Sequence, residues 1–137
     1  MRILIRSIPH QAQRYNTCGD WYWWDANIPA GYIPAGEDSL VIKERTLHIR
    51  VSMLKAREMW LVAVHELIEA LLCDYAGVSM ADVDAFDTEF KGEGEPGDDI
   101  NAPYYRQHQI ATGIERMLAA ELGVAWREYE EHINELG

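Results

Sequence analysis

The stretch that decides the fold is residues 59–73, which read MWLVAVHELIEALLC. Apolar residues recur around every side of a helical projection of this stretch, which is typical of a buried helix rather than a surface one. The helical pattern extends over residues 54–76, and Gly77 supplies a typical C-terminal stop. We therefore predict one long helix, buried on all sides, at the centre of the molecule.

Three polar side chains interrupt this apolar stretch, namely His65, Glu66 and Glu69. Glu69 follows His65 by one helical turn, so both side chains point the same way, and Glu66 borders the same sector about 100° around the helix. A buried carboxylate without a partner costs several kcal/mol. Each of these groups therefore requires a cation, a hydrogen-bond donor or a water-filled cleft.

A divalent metal, most simply zinc, satisfies His65 and Glu69 together and leaves Glu66 free to act as a general base on the attacking water. The carboxylate ligand makes the site harder than one built from histidines alone, so manganese, iron or cobalt also fit. The alternative is an internal hydrogen-bond cluster tied to one of three arginines, Arg50, Arg57 or Arg106.

A third ligand has to come from another element, and we predict His108 for this role. The helix that Pro103 opens carries His108 on the same face as the apolar Ala111 and Leu118, so this face packs inward. An ordinary helix histidine is the alternative for His108. The second-choice ligands are Asp84, Asp87 and Glu115, of which Glu115 fits better as a hydrogen-bond partner of a ligand.

The rest of the chain predicts strands first and helices afterwards. Four strands are expected, at residues 2–7, 20–25, 39–43 and 46–51, with turns over the Pro- and Gly-rich residues 28–36. Three helices follow the long one, over residues 79–90, from Pro103 to Gly123, and over the amphipathic C-terminal residues. The expected fold class is α+β, with a small N-terminal sheet and three to four helices in a single domain spanning residues 1–137.

Two strands and one loop carry further expectations. Residues 46–51 alternate polar and apolar, which predicts a strand with one wet face that could align an extended substrate by edge pairing. Residues 21–24 are all aromatic, so alternation could leave one pair exposed as a contact surface. The acidic residues 93–99 fit a solvated turn before a helix N-terminus, which favours negative charge.

The charge of the chain limits its partners. With 23 acidic and 12 basic side chains the net charge is -11, which disfavours nucleic acid and anionic membrane surfaces. No uncharged stretch reaches the roughly 20 residues of a membrane helix. The two cysteines, Cys18 and Cys73, form no disulfide framework and fit a reducing compartment, with Cys73 in the core. These features predict a cytoplasmic protein.

A helix with His65-Glu66-x-x-Glu69, preceded by strands and followed by a second ligand-bearing helix, resembles the zincin metallopeptidases. The zincin pattern has histidine where this chain has Glu69. The resemblance implies that His65 and Glu69 are ligands, that Glu66 is the catalytic base, and that His108 is the third ligand. The whole chain also resembles a family of small proteins encoded by tailed phages and prophages, which implies the host cell cytoplasm.

These residues and the resemblance together predict a metal-dependent hydrolase that acts on a peptide or protein substrate. Two alternatives stay open. Glu66 and Glu69 with Glu115 also resemble the magnesium site of all-helical nucleotide pyrophosphohydrolases, against which stand the strands and the lack of a basic phosphate-binding cluster. The other alternative is a non-catalytic metal-binding or interaction module that uses exposed aromatic residues.

Overall fold

Within the described part of the chain, three strands form one mixed sheet. The structure, a computed structural model, describes residues 1–24 and 45–136. The strands are β1 (Arg2–Ile8), β2 (Gly19–Trp24) and β3 (Thr46–Ser52), in the order β1-β3-β2. β1 pairs with β3 in parallel, with Ile5 opposite Ile49, and β2 pairs with β3 antiparallel, with Trp21 opposite Ile49. The predicted strand at 39–43 and the turns at 28–36 lie outside the described residues.

β3 is the central strand, and this overturns both expectations placed on it. All seven of its residues are buried, including His48 and Arg50 on the face predicted to be wet. The segment after β1 covers this face, since Arg50 donates to the carbonyl of Ala12 at 3.1 Å and Gln13 donates to the carbonyl of Arg50 at 3.3 Å. Because both edges of β3 are already paired with strands, it cannot align a substrate by edge pairing.

The aromatic residues of β2 are buried on both faces of the sheet. Trp21 and Trp23 belong to the hydrophobic core, and Tyr22 and Trp24 pack against His48 on the other face. Their exposed fractions range from 1% to 7%, so the expectation of an exposed aromatic pair is wrong. Alternation places the two pairs on opposite faces correctly, but it does not reveal that both faces are covered.

Four helices follow the sheet, as predicted for an α+β fold. They are α1 (Ala56–Ala76), α2 (Met80–Glu89), α3 (Tyr105–Glu121) and α4 (Trp126–Leu136). Gly77 ends α1 with a positive φ of 74°, and the Ser79 side chain caps α2 by accepting from the backbone N–H of Asp82. α3 begins two residues after Pro103, and a short 3-10 turn at Pro96–Asp98 precedes it.

α1 packs against the sheet on one side and against α3 on another, while a third side remains exposed. Leu61, Val62 and Cys73 are buried in the core, as predicted for Cys73. Trp60 is 54% exposed and Tyr75 is 92% exposed, so the prediction that α1 is buried on all sides is wrong. No helix within residues 1–24 and 45–136 is both long and apolar enough to cross a membrane.

Candidate metal centre

Two helices, α1 and α3, bring the predicted ligands together inside the molecule. α1 contributes His65 and Glu69, one turn apart on its inner face, and α3 contributes His108. Their exposed fractions are 7% for His65, 5% for Glu69 and 5% for His108. At this burial the three side chains must satisfy one another or share a cation.

The donor atoms of these three residues form a small, nearly equilateral triangle. His65 Nε2 lies 3.1 Å from Glu69 Oε2 and 3.2 Å from His108 Nδ1, and His108 Nδ1 lies 2.9 Å from Glu69 Oε2. Tetrahedral zinc with ligand bonds of about 2.0 to 2.1 Å separates its donor atoms by roughly 3.3 Å. A zinc ion therefore fits above this triangle after an outward adjustment of only a few tenths of an ångström.

Glu115 holds the imidazole of His65 in its orientation. His65 Nδ1 lies 2.8 Å from Glu115 Oε1, and the other oxygen of Glu115 accepts a hydrogen bond from the Tyr129 hydroxyl at 2.5 Å. When Nδ1 carries the proton and donates it to Glu115, Nε2 presents its lone pair toward Glu69 and His108. Glu115 is thus a hydrogen-bond partner of a candidate ligand histidine, which is the position expected for it from the sequence.

The short loop before α3 holds His108 from the opposite side. His108 Nε2 lies 3.1 Å from Glu95 Oε2 and 3.2 Å from Asp98 Oδ1, although neither oxygen is aligned for a hydrogen bond. Gly97 lies against the imidazole face, because a Cβ there would come within 2.4 Å of His108 Cγ. A proton on Nε2, attracted by these carboxylates, leaves Nδ1 as the nitrogen that faces His65 and Glu69.

Glu69 is anchored to the sheet through its second oxygen. Trp21 Nε1 donates a hydrogen bond to Glu69 Oε1 at 3.0 Å, while Oε2 belongs to the triangle. This contact fixes the rotation of the carboxylate, so one oxygen is committed to the protein and the other is available to a cation.

The pKa values of the three triangle residues are shifted in directions that favour a negative Glu69 and positive histidines. Burial alone would raise the pKa of Glu69, but hydrogen bonds from His108 and His65 outweigh it and lower the pKa to about 2. Burial would lower the pKa of His108, yet its contacts with Glu69 and Glu95 raise it to about 10. The pKa of His65 is likewise raised well above its ordinary value, by Glu115 and Glu69 against the effect of burial. In the absence of a metal ion, protons on the histidines supply the positive charge beside the Glu69 carboxylate.

Glu66 differs from its neighbours because it is buried but has no committed partner. Within residues 1–24 and 45–136 no hydrogen bond involves its carboxylate, which lines the same cavity as His65 and Glu69. Burial, and then the charge of Glu69, raises the pKa of Glu66 well above its ordinary value. A Cβ on Gly19 would lie 2.6 Å from Glu66 Oε1, so β2 begins with a glycine where the chain passes this carboxylate.

A cavity of about 250 Å³ opens over the triangle between β2, α1, α2 and the loop before α3. Besides the carboxylates of α1 and α3, four acidic side chains line it, namely Asp20, Asp84, Asp87 and Glu95. No lysine or arginine within the described ranges lines it. Arg14 binds Asp20 and Asp84 from behind, at 2.7 Å and 2.9 Å.

The second-choice ligands from α2 are held elsewhere. Asp84 pairs with Arg14, and Asp87 accepts hydrogen bonds from the hydroxyls of Tyr15 and Tyr104. Neither belongs to the cluster of donor atoms formed by His65, Glu69 and His108. Both carboxylates instead line the cavity beside that cluster, where burial raises the pKa of Asp87 to about 6 despite the two tyrosines.

The arginines considered as alternative partners do not reach the cluster. Arg50 donates to the carbonyl of Ala12, and Arg57 lies 3.5 Å from the carbonyl of Leu122. Among the described residues, the partners of His65 and Glu69 are each other and residues of β2 and α3.

Several residues of the site were missed from the sequence. Trp21 and Tyr129 looked like core residues, and no local pattern indicates that each donates a hydrogen bond into the site. The acidic loop gave a better indication, because Gly94, Pro96 and Gly97 surround Glu95 shortly before the helix that carries His108. Such a turn can fold back on the helix it precedes, and here it does.

Comparisons of the chain with protein-family models, with curated proteins and with solved structures gave no match.

Proposed function

We propose that this protein is a metal-dependent hydrolase of the zincin type that cleaves peptide bonds. The observation that carries the proposal is the triangle of His65 Nε2, Glu69 Oε2 and His108 Nδ1, with sides of 2.9 to 3.2 Å. Two histidines and one carboxylate form a known catalytic zinc set that leaves a fourth position open. Zinc is the metal that best fits this donor set, and bound there it would supply Lewis-acid activation of a carbonyl group and of water.

Glu66 would perform the proton transfers. Its carboxylate faces the cavity without a committed partner. Burial raises its pKa from the ordinary value of a glutamate toward neutral pH, and a general base works best when its pKa lies near the operating pH. It would take a proton from the attacking water and deliver that proton to the leaving amine. His65, Glu69 and His108 would stay in place, held by Glu115, Trp21 and the loop before α3.

The acidic lining of the cavity favours cationic substrates. Asp20, Asp84, Asp87 and Glu95 line it, and the net charge of the chain, -11, has the same sign. A peptide segment with lysine or arginine side chains, or with a free amino terminus, therefore fits better than an anionic one. The start of β2 lines the cavity, so this strand rather than β3 is positioned beside a bound peptide.

The nucleotide pyrophosphohydrolase alternative has less support. It requires Glu66, Glu69 and Glu115 to share a magnesium ion, yet Glu115 is engaged by His65 and Tyr129. A non-catalytic metal-binding module remains the competing proposal, although it leaves the partnerless carboxylate of Glu66 without a role. An interaction module that uses the aromatic residues of β2 loses its basis because these residues are buried.

The test separates ligands from base. Protein purified without chelators should contain about one zinc per chain, and His65→Ala, Glu69→Ala and His108→Ala should each lose most of it. Glu66→Gln should keep the metal but lose cleavage of a fluorogenic peptide library rich in lysine and arginine. Glu130→Gln, on the exposed side of α4, is the control for both measurements.

Two results would count against the proposal. If Glu66→Gln lost zinc as readily as the ligand variants, the division of roles would be wrong. If the wild-type protein bound zinc but cleaved no peptide, the non-catalytic alternative would take its place.

A further inference from the structure

The outer face of α3 carries a pattern that the metal site does not use. Arg106, Ile110, Gly113, Met117 and Glu121 are all exposed, and their spacing of three and four residues places them on one stripe. This stripe lies on the side of α3 opposite the buried His108 and Glu115. Ile110 is 39% exposed and Met117 is 68% exposed, so the middle of the stripe is apolar.

The stripe is symmetric about its centre. Arg106 and Glu121 lie at equal distances in sequence from the midpoint beside Gly113, and so do Ile110 and Met117. When two copies of such a helix pack antiparallel, each residue meets its counterpart from the opposite half. Arg106 then faces Glu121 of the second copy, and Ile110 faces Met117. Both pairings occur twice, as a two-fold interface requires.

The described part of the chain gives no packing reason for a glycine at position 113. A glycine in a helix interior is destabilising relative to alanine. A Cβ at this position would meet nothing within 4 Å, so the packing of the chain itself does not require a glycine. At the crossing point of two helices, however, the missing side chain lets the two backbones approach closely.

The charges at the two ends of the stripe are available to a partner. Within residues 1–24 and 45–136, Arg106 and Glu121 form no ion pair. A second copy supplies the opposite charge at both ends, whereas an acidic or a basic partner would satisfy only one of them. The net charge of -11 disfavours non-specific association, so an interface between copies needs this local complementarity.

From these observations we infer that the protein forms a two-fold symmetric dimer in which α3 packs antiparallel against α3 of a second copy, crossing at Gly113. The metal site lies on the opposite, inner side of α3, so each copy keeps its own complete site. The inference does not depend on the proposed hydrolase function.

The first test uses analytical ultracentrifugation of the full chain over roughly a hundredfold range of concentration. The wild-type protein should sediment as a dimer at the upper end of this range. Gly113→Leu and Ile110→Lys should shift the equilibrium to monomer without lowering the zinc content or the helical circular dichroism. Leu71→Lys on α1, at 38% exposure, is the matched control and should leave the dimer intact.

Charge reversal gives the sharper test. Arg106→Glu and Glu121→Arg should each weaken the dimer by about tenfold or more, because each places like charges opposite one another at both ends. The double variant should restore the dimer. A wild-type monomer at every concentration, a double variant without rescue, or dissociation by Leu71→Lys in place of Ile110→Lys would overturn the inference.

Discussion

Trp21 Nε1 donates to Glu69 Oε1 at 3.0 Å and thereby connects the sheet to the helix that carries two of the candidate metal ligands. Trp21 belongs to β2 and lies opposite Ile49 in the register of the sheet, so its indole position is set by the core. Glu69 therefore does not hold its orientation through α1 alone. This hydrogen bond couples the core of the protein to the geometry of the candidate metal site.

We predict that Trp21→Phe weakens zinc binding by about 10- to 100-fold, the usual effect of removing a hydrogen bond behind a metal ligand. Phenylalanine keeps most of the apolar contacts but leaves Glu69 Oε1 without its donor. Competition with a chromophoric chelator measures the affinity. Trp23→Phe is the control, because Trp23 lies on the same face of β2 and contacts Arg45 rather than Glu69. Equal losses in both variants would indicate a general packing effect instead.

Two glycines allow ligand and base positioning to be tested separately. A Cβ on Gly97 would lie 2.4 Å from His108 Cγ, whereas a Cβ on Gly19 would lie 2.6 Å from Glu66 Oε1. Gly97→Ala should therefore displace a ligand and lower zinc affinity. Gly19→Ala should displace the base and lower peptide cleavage while zinc stays bound.

Each glycine variant serves as the control for the other, and zinc content and turnover are measured on both. Their thermal unfolding shows whether either substitution acts only by destabilising the fold. Loss of zinc from Gly19→Ala with retention in Gly97→Ala would reverse the assignment of the two positions.

The positions of the helices and strands could be predicted from the sequence more accurately than the burial of their faces. The long helix, its end at Gly77 and the shorter helix after Ser79 follow from periodicity and capping, which are local properties. The position of β3 in the middle of the sheet depends on pairing with β1 and β2, which is not local. Alternation in residues 46–51 therefore suggested a wet face that the segment after β1 in fact covers.

In the candidate site, too, local patterns predict some of the residues, whereas the others depend on tertiary packing. His65 and Glu69 could be paired from their spacing, and His108 from the inward face of its helix, because helical geometry fixes which residues share a side. The contacts of Glu95, Trp21 and Tyr129 with these residues depend on how loops and strands pack in three dimensions. Apolar residues on α1 were equally misleading, since Trp60 and Tyr75 are exposed although composition predicted burial on all sides.

Zinc binding should release protons near neutral pH. Contacts with Glu69 and Glu95 raise the pKa of His108 to about 10, and contacts with Glu115 and Glu69 also raise the pKa of His65, so we expect these histidines to carry protons in the metal-free site that zinc has to displace. Coordination requires unprotonated nitrogens, so up to about two protons must leave and zinc affinity should rise steeply from pH 5 to 8. Titration calorimetry in buffers of different ionisation enthalpy counts these protons. Release near zero at pH 7 would contradict this prediction.

The same shifts predict how the metal-free protein depends on pH. A raised histidine pKa contributes stability that is fully present below about 6.5 and is lost as pH rises through the folded value. The lowered pKa of Glu69, about 2, contributes stability that is present above about 4.5 and is lost in stronger acid. This cluster should therefore stabilise the metal-free protein most between these limits. A chelator should lower the melting temperature more at pH 8 than at pH 5.5.

His48 should make an opposite and separable contribution on the far side of the sheet. Its ring stacks on Tyr22 with a centroid distance of 4.8 Å, and it is only 1% exposed. Burial, together with the nearby charges of Arg6, Arg2 and Arg50, lowers its pKa to about 4. The folded protein thus keeps this imidazole neutral at pH values where the unfolded chain protonates it.

Because the unfolded state binds the extra proton, His48 should lower the free energy of unfolding as pH falls from about 6.5 to about 4, by up to about 3 kcal/mol. His48→Phe keeps the stacked ring and removes the titration, so its stability should fall less than that of the wild type over this window. Urea unfolding of both proteins at matched pH isolates the difference, since the other titrating groups contribute equally to each. NMR titration of the His48 ring gives a direct check, and a pKa near 6.5 in the folded protein would show that the face between Tyr22 and the arginines is not closed to solvent.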